Sequence, residues 1–179
     1  MGSYGCQVIG SSAPVISNCQ FNNISNSPIR LSMFSNPAFS NCSALNVGLM
    51  ALTVAPETYS QNATVPLRDF AGYTNISYYL EGDCTVNSGT IITIPAGIVF
   101  KGNRGGSGNY YFNGSFVVNG QLAVQGTAQN PVIFTDFRDD SYGNPPDMNQ
   151  DGSASQPENG ISPSTWYKTW ITFNDVASD

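Results

Sequence analysis

Pro14-Val15-Ile16-Ser17-Asn18-Cys19 returns 23 residues later as Pro37-Ala38-Phe39-Ser40-Asn41-Cys42. The register holds further along, with Ile24 falling on Val47, Ile29 on Leu52 and Leu31 on Val54. Apolar residues lying on apolar residues at a fixed period mean that one short unit is stacked on a copy of itself. Such a unit is too thin to bury a core alone, so its hydrophobic side is closed by the next unit and the stack is the fold. Between the apolar pairs, Ser-Asn, Asn-Ser-Pro and Ser-Asn-Pro act as turn signals. Asn18 and Asn41 occupy equivalent turns. Asparagine tolerates the left-handed backbone of a tight corner, and stacked copies can hydrogen-bond the backbone of the next layer and form a ladder.

Working outward, residues 1–54 read as regular coils and residues 55–78, with Pro56, Pro66 and a polar run, as a linker or side excursion. Strand rhythm resumes over 79–179, interrupted by an acidic insertion at 136–165. Within this part Ile92–Gly102 aligns with Phe116–Gly126 at an offset of 24, each copy reading strand, corner, strand, Gly. Three short strands per period of about 23 residues predict an all-β chain folded as a right-handed parallel β-helix with a polar loop insertion. A sandwich also supplies short strands, but it gives no reason for aligned copies to keep one residue type at one place.

Composition fits such a stack and removes several functions. Only 10% of the 179 residues are charged, so Asn, Ser, Thr and Gly must cover the surface, and these are poor helix formers. With net charge −6 and six scattered basic residues, the cationic footprint of a nucleic-acid binder is missing. No apolar run approaches the ~20 residues of a membrane span. Histidine is absent, which eliminates a Ser-His-Asp triad and the commonest zinc ligand. Cys6, Cys19, Cys42 and Cys84 form no CxxC pair, and Cys19 and Cys42 should be stacked neighbours, as a ladder of thiols or as a disulfide. Met1-Gly2-Ser3-Tyr4 carries neither a basic nor an apolar leader, and the chain reads as an excerpt, or a mature product, of something longer.

Tyr78-Tyr79-Leu80-Glu81-Gly82-Asp83, Ile94-Pro95-Ala96-Gly97, Val118–Thr127 and Asn130–Thr135, followed by Asp139-Asp140-Ser141-Tyr142-Gly143 and Asp147–Gly152, resemble the parallel β-helix repeat proteins of bacterial cell surfaces. The resemblance implies a pectin-lyase-like fold and an extracellular or cell-surface location. For function it implies little, because that fold hosts lyases, hydrolases, adhesins and passive stalks.

The sharpest local motif is Asp147-x-Asn149-x-Asp151-Gly152. Oxygen ligands at alternate positions, then a Gly that lets the loop wrap, suit a hard cation, and Glu158 stands at the twelfth position of such a loop. Asp136, Asp139 and Asp140 lie upstream to complete the shell, which makes calcium the expected cofactor. Eight of the twelve acids fall within 136–179. The bland alternative is an Asp-Gly turn in a solvated acidic loop. No catalytic motif is recognisable. A lyase would need a basic proton acceptor, for which Arg138 and Lys168 flank the insertion. Tyr110-Tyr111-Phe112, Trp166, Tyr167 and Trp170 offer either an aromatic strip for sugars or core residues. The sequons at Asn23, Asn41, Asn62, Asn75 and Asn113 favour loop positions 62 and 113 as glycan acceptors, with Asn41 a poor one at its corner.

These features predict a non-catalytic structural or adhesive module, a segment of a surface fibre, sheath or filament. Its partners would be copies of itself or further coils stacked end to end, because a β-helix ends in unpaired strand edges. The runner-up is a carbohydrate-binding or lyase-like protein acting on acidic glycans.

Overall fold

The computed structural model of the chain describes residues 3–103, 114–157 and 169–174, and no helix occurs among them. Every strand pairing in it is parallel. The molecule is a parallel β-helix. Its spine is a six-stranded sheet of β1 (Cys6–Val8), β4 (Ile29–Leu31), β7 (Leu52–Val54), β10 (Tyr78–Leu80), β13 (Val99–Gly102) and β16 (Ile133–Asp136), in that order. Each of these strands opens one coil, giving six coils.

The other two sides change partway up. In coils 1 and 2, β2 (Val15–Ser17) pairs with β5 (Ala38–Ser40), and β3 (Gln20–Ile24) with β6 (Ser43–Val47). From coil 3 onward, one side is β8 (Glu57–Tyr59), β11 (Cys84–Val86), β14 (Phe116–Val118) and β17 (Ile171–Phe173). The other is β9 (Ala63–Thr64), β12 (Ile91–Pro95) and β15 (Gln121–Gln125). Residues 55–78 are therefore not a linker: they supply β8 and β9, which complete coil 3 after β7. Their second half is an excursion that drops Phe70 into the core, its ring centroid 5.9 Å from Phe21 and 5.0 Å from Phe39. Phe70 thus seals coils 1 and 2 where their side sheets end.

The paired positions read from the first repeat are adjacent strand partners: Ile24 with Val47, Ile29 with Leu52 and Leu31 with Val54. At the corner between β2 and β3, Asn18 and Asn41 have φ of 54° and 49°, and Asn41 Nδ2 donates to Asn18 Oδ1 at 3.2 Å. Asn46 repeats the arrangement on Asn23 at 3.4 Å. The four cysteines are free thiols, and Cys42 Sγ points at the Ile16 carbonyl of the coil below.

The offset of 24 in the upper half does not survive. Ile92 pairs with Leu122, Cys84 with Phe116 and Phe100 with Phe134. The register of Phe100 on Phe134 makes the circuit of coil 5 longer than that of every lower coil. The false alignment laid β12 over β14, strands of different sides, because any strand-corner-strand of a β-helix resembles the next one.

Alternation sets the core. Along the spine Ile29, Leu52, Tyr78 and Phe100 point inward and are fully buried, while Arg30, Thr53, Tyr79 and Lys101 alternate outward. In the upper coils the inward column is aromatic, with Phe100 stacked on Phe134 at 5.5 Å and edge-on to Phe116 at 5.3 Å.

Candidate cation site on the outer face

The insertion after β16 does not project into solvent. It doubles back down the outside of the spine. Asn144 N–H donates to Ser77 Oγ at 3.0 Å, the Met148 carbonyl accepts from Met50 N–H at 2.8 Å, and Gln150 Nε2 donates to the Val47 carbonyl at 2.7 Å. Met148 is fully buried against Ala51 and Tyr79. The driving force is ordinary apolar burial, about 1.5–3 kcal/mol for a methionine side chain.

Beneath this segment lies Lys101. Its outward position on β13 would leave it in water on a bare spine, yet it is fully buried. Its ammonium donates to the carbonyls of Asp139 at 2.7 Å and Pro146 at 2.5 Å. Burial pushes its pKa below the ordinary lysine value, against the pull of Asp139, Asp140, Asp147 and Asp136. Nothing in the local sequence marks Lys101 as part of the site, because the cover arrives from residues some 40 positions later.

The chain turns tightly after Met148, with φ of 57° at Gln150 and 74° at Gly152. Asp147 closes this turn by accepting N–H groups of Asp151 at 3.2 Å and Gly152 at 2.9 Å. The turn brings Asp140, Asp147 and Asp151 together, with one carboxylate oxygen of each within 4.8 Å of the others. Oxygens on opposite sides of a calcium ion stand about 5 Å apart, twice a bond of roughly 2.3–2.6 Å. Buried oxygens Asp140 Oδ1, Asn149 Oδ1 and Asp151 Oδ1 lack a hydrogen-bond partner among the described residues. Buried acceptors left unpaired cost about 1–3 kcal/mol each, so a ligand for them is favoured. Burial and the charges of Asp147 and Asp151 push Asp140 above the ordinary carboxylate range. The carboxylates of Asp140, Asp147 and Asp151 lie this close with the Lys101 ammonium also facing Asp139, so negative charge is in excess and one divalent cation relieves it. The residues present fit such an ion.

Of the residues singled out by sequence, Asp147, Asn149, Asp151 and Asp140 converge here. Asp139 stands apart: Thr135 Oγ1 and Ser141 N–H donate to its carboxylate. Burial raises its pKa, but those bonds and Lys101 outweigh burial and hold it low. Glu158 lies outside the described residues, as do Lys168, Trp166 and the Tyr110–Phe112 run. Trp170 packs on Phe134 at 5.7 Å, as part of the core. Arg138 clasps Asp136 with two bonds, Nε to Oδ1 at 2.7 Å and Nη2 to Oδ2 at 2.9 Å. Among the sequons, Asn41 spends its amide nitrogen on the ladder, and Asn75 donates its own to the Gly97 carbonyl at 2.6 Å. Asn62 is exposed, and its oxygen accepts from Ile91 N–H at 2.8 Å.

Residues 69–144 match the family described as pectate-lyase like beta helix domain. The matched segment runs from the Phe70 excursion through coils 4 and 5 to Asn144, and so includes Lys101 and Asp140. No curated protein and no solved structure matches the chain.

Proposed function

We propose, from the premise of a pectate-lyase-like β-helix domain over residues 69–144, that this chain is a non-catalytic structural or adhesive module. Its place is in an extracellular or cell-surface assembly. One observation carries the reading. Val124 lies in register above Ile94, and Phe173 above Val118, both at inward positions. The lower residues are fully buried, whereas Val124 is 44% and Phe173 66% exposed. Inward apolar side chains left open at a coil face favour a further layer of the same geometry, supplied by more β-helix or by another copy. Repeated head to tail without closure, that contact builds a filament. Negative-stain imaging and sedimentation across a concentration series test this. Fibres or growing particles are expected, and Phe173→Lys should abolish them. Particles that stay monomeric at every attainable concentration overturn the reading.

Calcium at Asp140, Asp147, Asp151 and Asn149 belongs to the same proposal, as a stabiliser of the outer face. Calcium at about a hundredfold over its Kd contributes ~2.7 kcal/mol, or a Tm rise of roughly 5–10 °C at this chain length. Asp151→Asn should remove most of the rise. A flat Tm across a calcium titration overturns the assignment.

The family description supplies a second reading, a lyase-like protein acting on acidic glycans. The bidentate bond from Arg138 to Asp136 counts against it, since a guanidinium held this way is poorly placed to take a proton from substrate. Formation of unsaturated sugar ends from polygalacturonate would favour this reading over the structural one.

A further inference from the structure

Solenoids are held together coil by coil. Each layer contacts only its neighbours, stability is nearly a sum over adjacent interfaces, and coils fray from an end. The insertion breaks that rule. It leaves the spine at Asp136 and crosses the outward side chains of the layers beneath. It bonds Lys101 of coil 5, Ser77 at the entry to coil 4, Met50 at the entry to coil 3 and Val47 at the end of coil 2. At about 4.8 Å per layer, the segment spans roughly 15–20 Å of stack. Its two deepest contacts, Met148 and the Lys101 ammonium, are fully buried. One polypeptide that leaves coil 6 therefore touches the four coils beneath it on one face.

We propose that residues 137–150 are a strap that makes coils 2–6 open as a single cooperative unit, and that the divalent cation is its latch. The latch half rests on the cation reading above, whereas the strap half rests on the contacts alone. The geometry separates the two functions. The contacts to the spine come from Asn144, Met148 and Gln150 and from the carbonyls of Asp139 and Pro146, none of which is a carboxylate of the cluster. Asp140, Asp147 and Asp151 instead join the two ends of the strap's own turn. Occupancy of the cluster thus fixes the shape of the strap, and the shape of the strap decides whether Met148 and the carbonyls of Asp139 and Pro146 meet the spine together.

Native-state hydrogen exchange, read by mass spectrometry on the full chain with saturating calcium, tests both halves. Amides of β10, β13 and β16 should share one opening, with protection equal within about threefold. Two variants break the strap: Met148→Ala, which keeps every carboxylate, and replacement of residues 141–151 by a Gly-Ser linker. In either one, β16 protection should fall at least tenfold below that of β10. An unchanged ratio in Met148→Ala and in the linker variant overturns the strap. Chelation of the wild type by EDTA should reproduce the graded pattern. If EDTA leaves exchange uniform while Met148→Ala grades it, the strap stands and the latch falls.

Discussion

Coils 1–2 and coils 4–6 are built on one plan but held to it by different means. In the lower pair the circuit is 23 residues without an insertion, as the register of Cys6 on Ile29 and Ile29 on Leu52 requires. Its corners are fixed by left-handed asparagines stacked in pairs. In the upper coils, circuits range from Tyr78 on Phe100 to the much longer Phe100 on Phe134. There the corners vary, and an aromatic column holds the register. Corners discriminate by backbone geometry and so fix length. A packed core discriminates by volume and tolerates whatever is looped out beyond its corners.

The largest expected effect tests that division. Phe100 is fully buried and touches the rings of Tyr78, Phe116 and Phe134. Phe100→Ala should cost about 3–5 kcal/mol in urea denaturation, the range for a large aromatic removed from a packed core. Ile16, half-buried in coil 1, should cost well under half of that when cut to Ala. Equal losses would mean that the lower coils also depend on core volume, and the comparison would fail.

Cysteine offers the same substitution in both regions. Cys84 is fully buried in the aromatic half, where burial pushes its thiol up to about 12, and Tyr59 Oη is its polar neighbour at 3.8 Å. Cys84→Ser should cost about 1–3 kcal/mol, the penalty of a poorly partnered buried hydroxyl. Cys42 already aims at the carbonyls of Ile16 and Ser40, at 3.3 and 3.5 Å. A serine hydroxyl inherits both acceptors, so Cys42→Ser should be neutral within about 0.5 kcal/mol. Iodoacetamide at pH 8 should label Cys42 and leave Cys84 untouched until the chain unfolds, because the thiolate is the reactive form.

The difference between regions also explains what could be read from sequence. Pairing of Ile24 with Val47 and of Leu31 with Val54 was legible because equal corners keep like residues at equal spacing. The upper coils hid theirs, because the longer circuit of coil 5 puts Phe116 in the register of Cys84 instead of Ile92. Coil 3 passed for a linker because β8 shows one inward apolar side chain, Tyr59, after two polar residues. In the cation site, Asp147, Asn149 and Asp151 are local in sequence and their alternation shows. Asp140 joins only through the fold of the turn, and Lys101 only because a distant segment covers it. Tertiary burial leaves no mark on a lysine's immediate neighbours.

The smallest effect separates the corners themselves. Asn41 has φ of 49° and donates to Asn18, while in the upper coils Asn174 donates to Asn119 at 2.8 Å and Asn119 is not among the left-handed residues. At Asn41, alanine loses the ladder bond and must also hold a left-handed backbone, which costs a residue with a Cβ about 1–2 kcal/mol. Glycine loses the bond alone, so Asn41→Gly should be the more stable variant by roughly 1 kcal/mol. At Asn119 the backbone favours neither replacement on steric grounds, and glycine brings only extra unfolded-state freedom. Asn119→Ala should therefore be the more stable there, by about 0.4–1 kcal/mol. Tm differences of a few degrees with opposite signs at the two sites would place the strict period of the lower coils in the handedness of their corners. Matching signs would return it to the hydrogen bond that both ladders share.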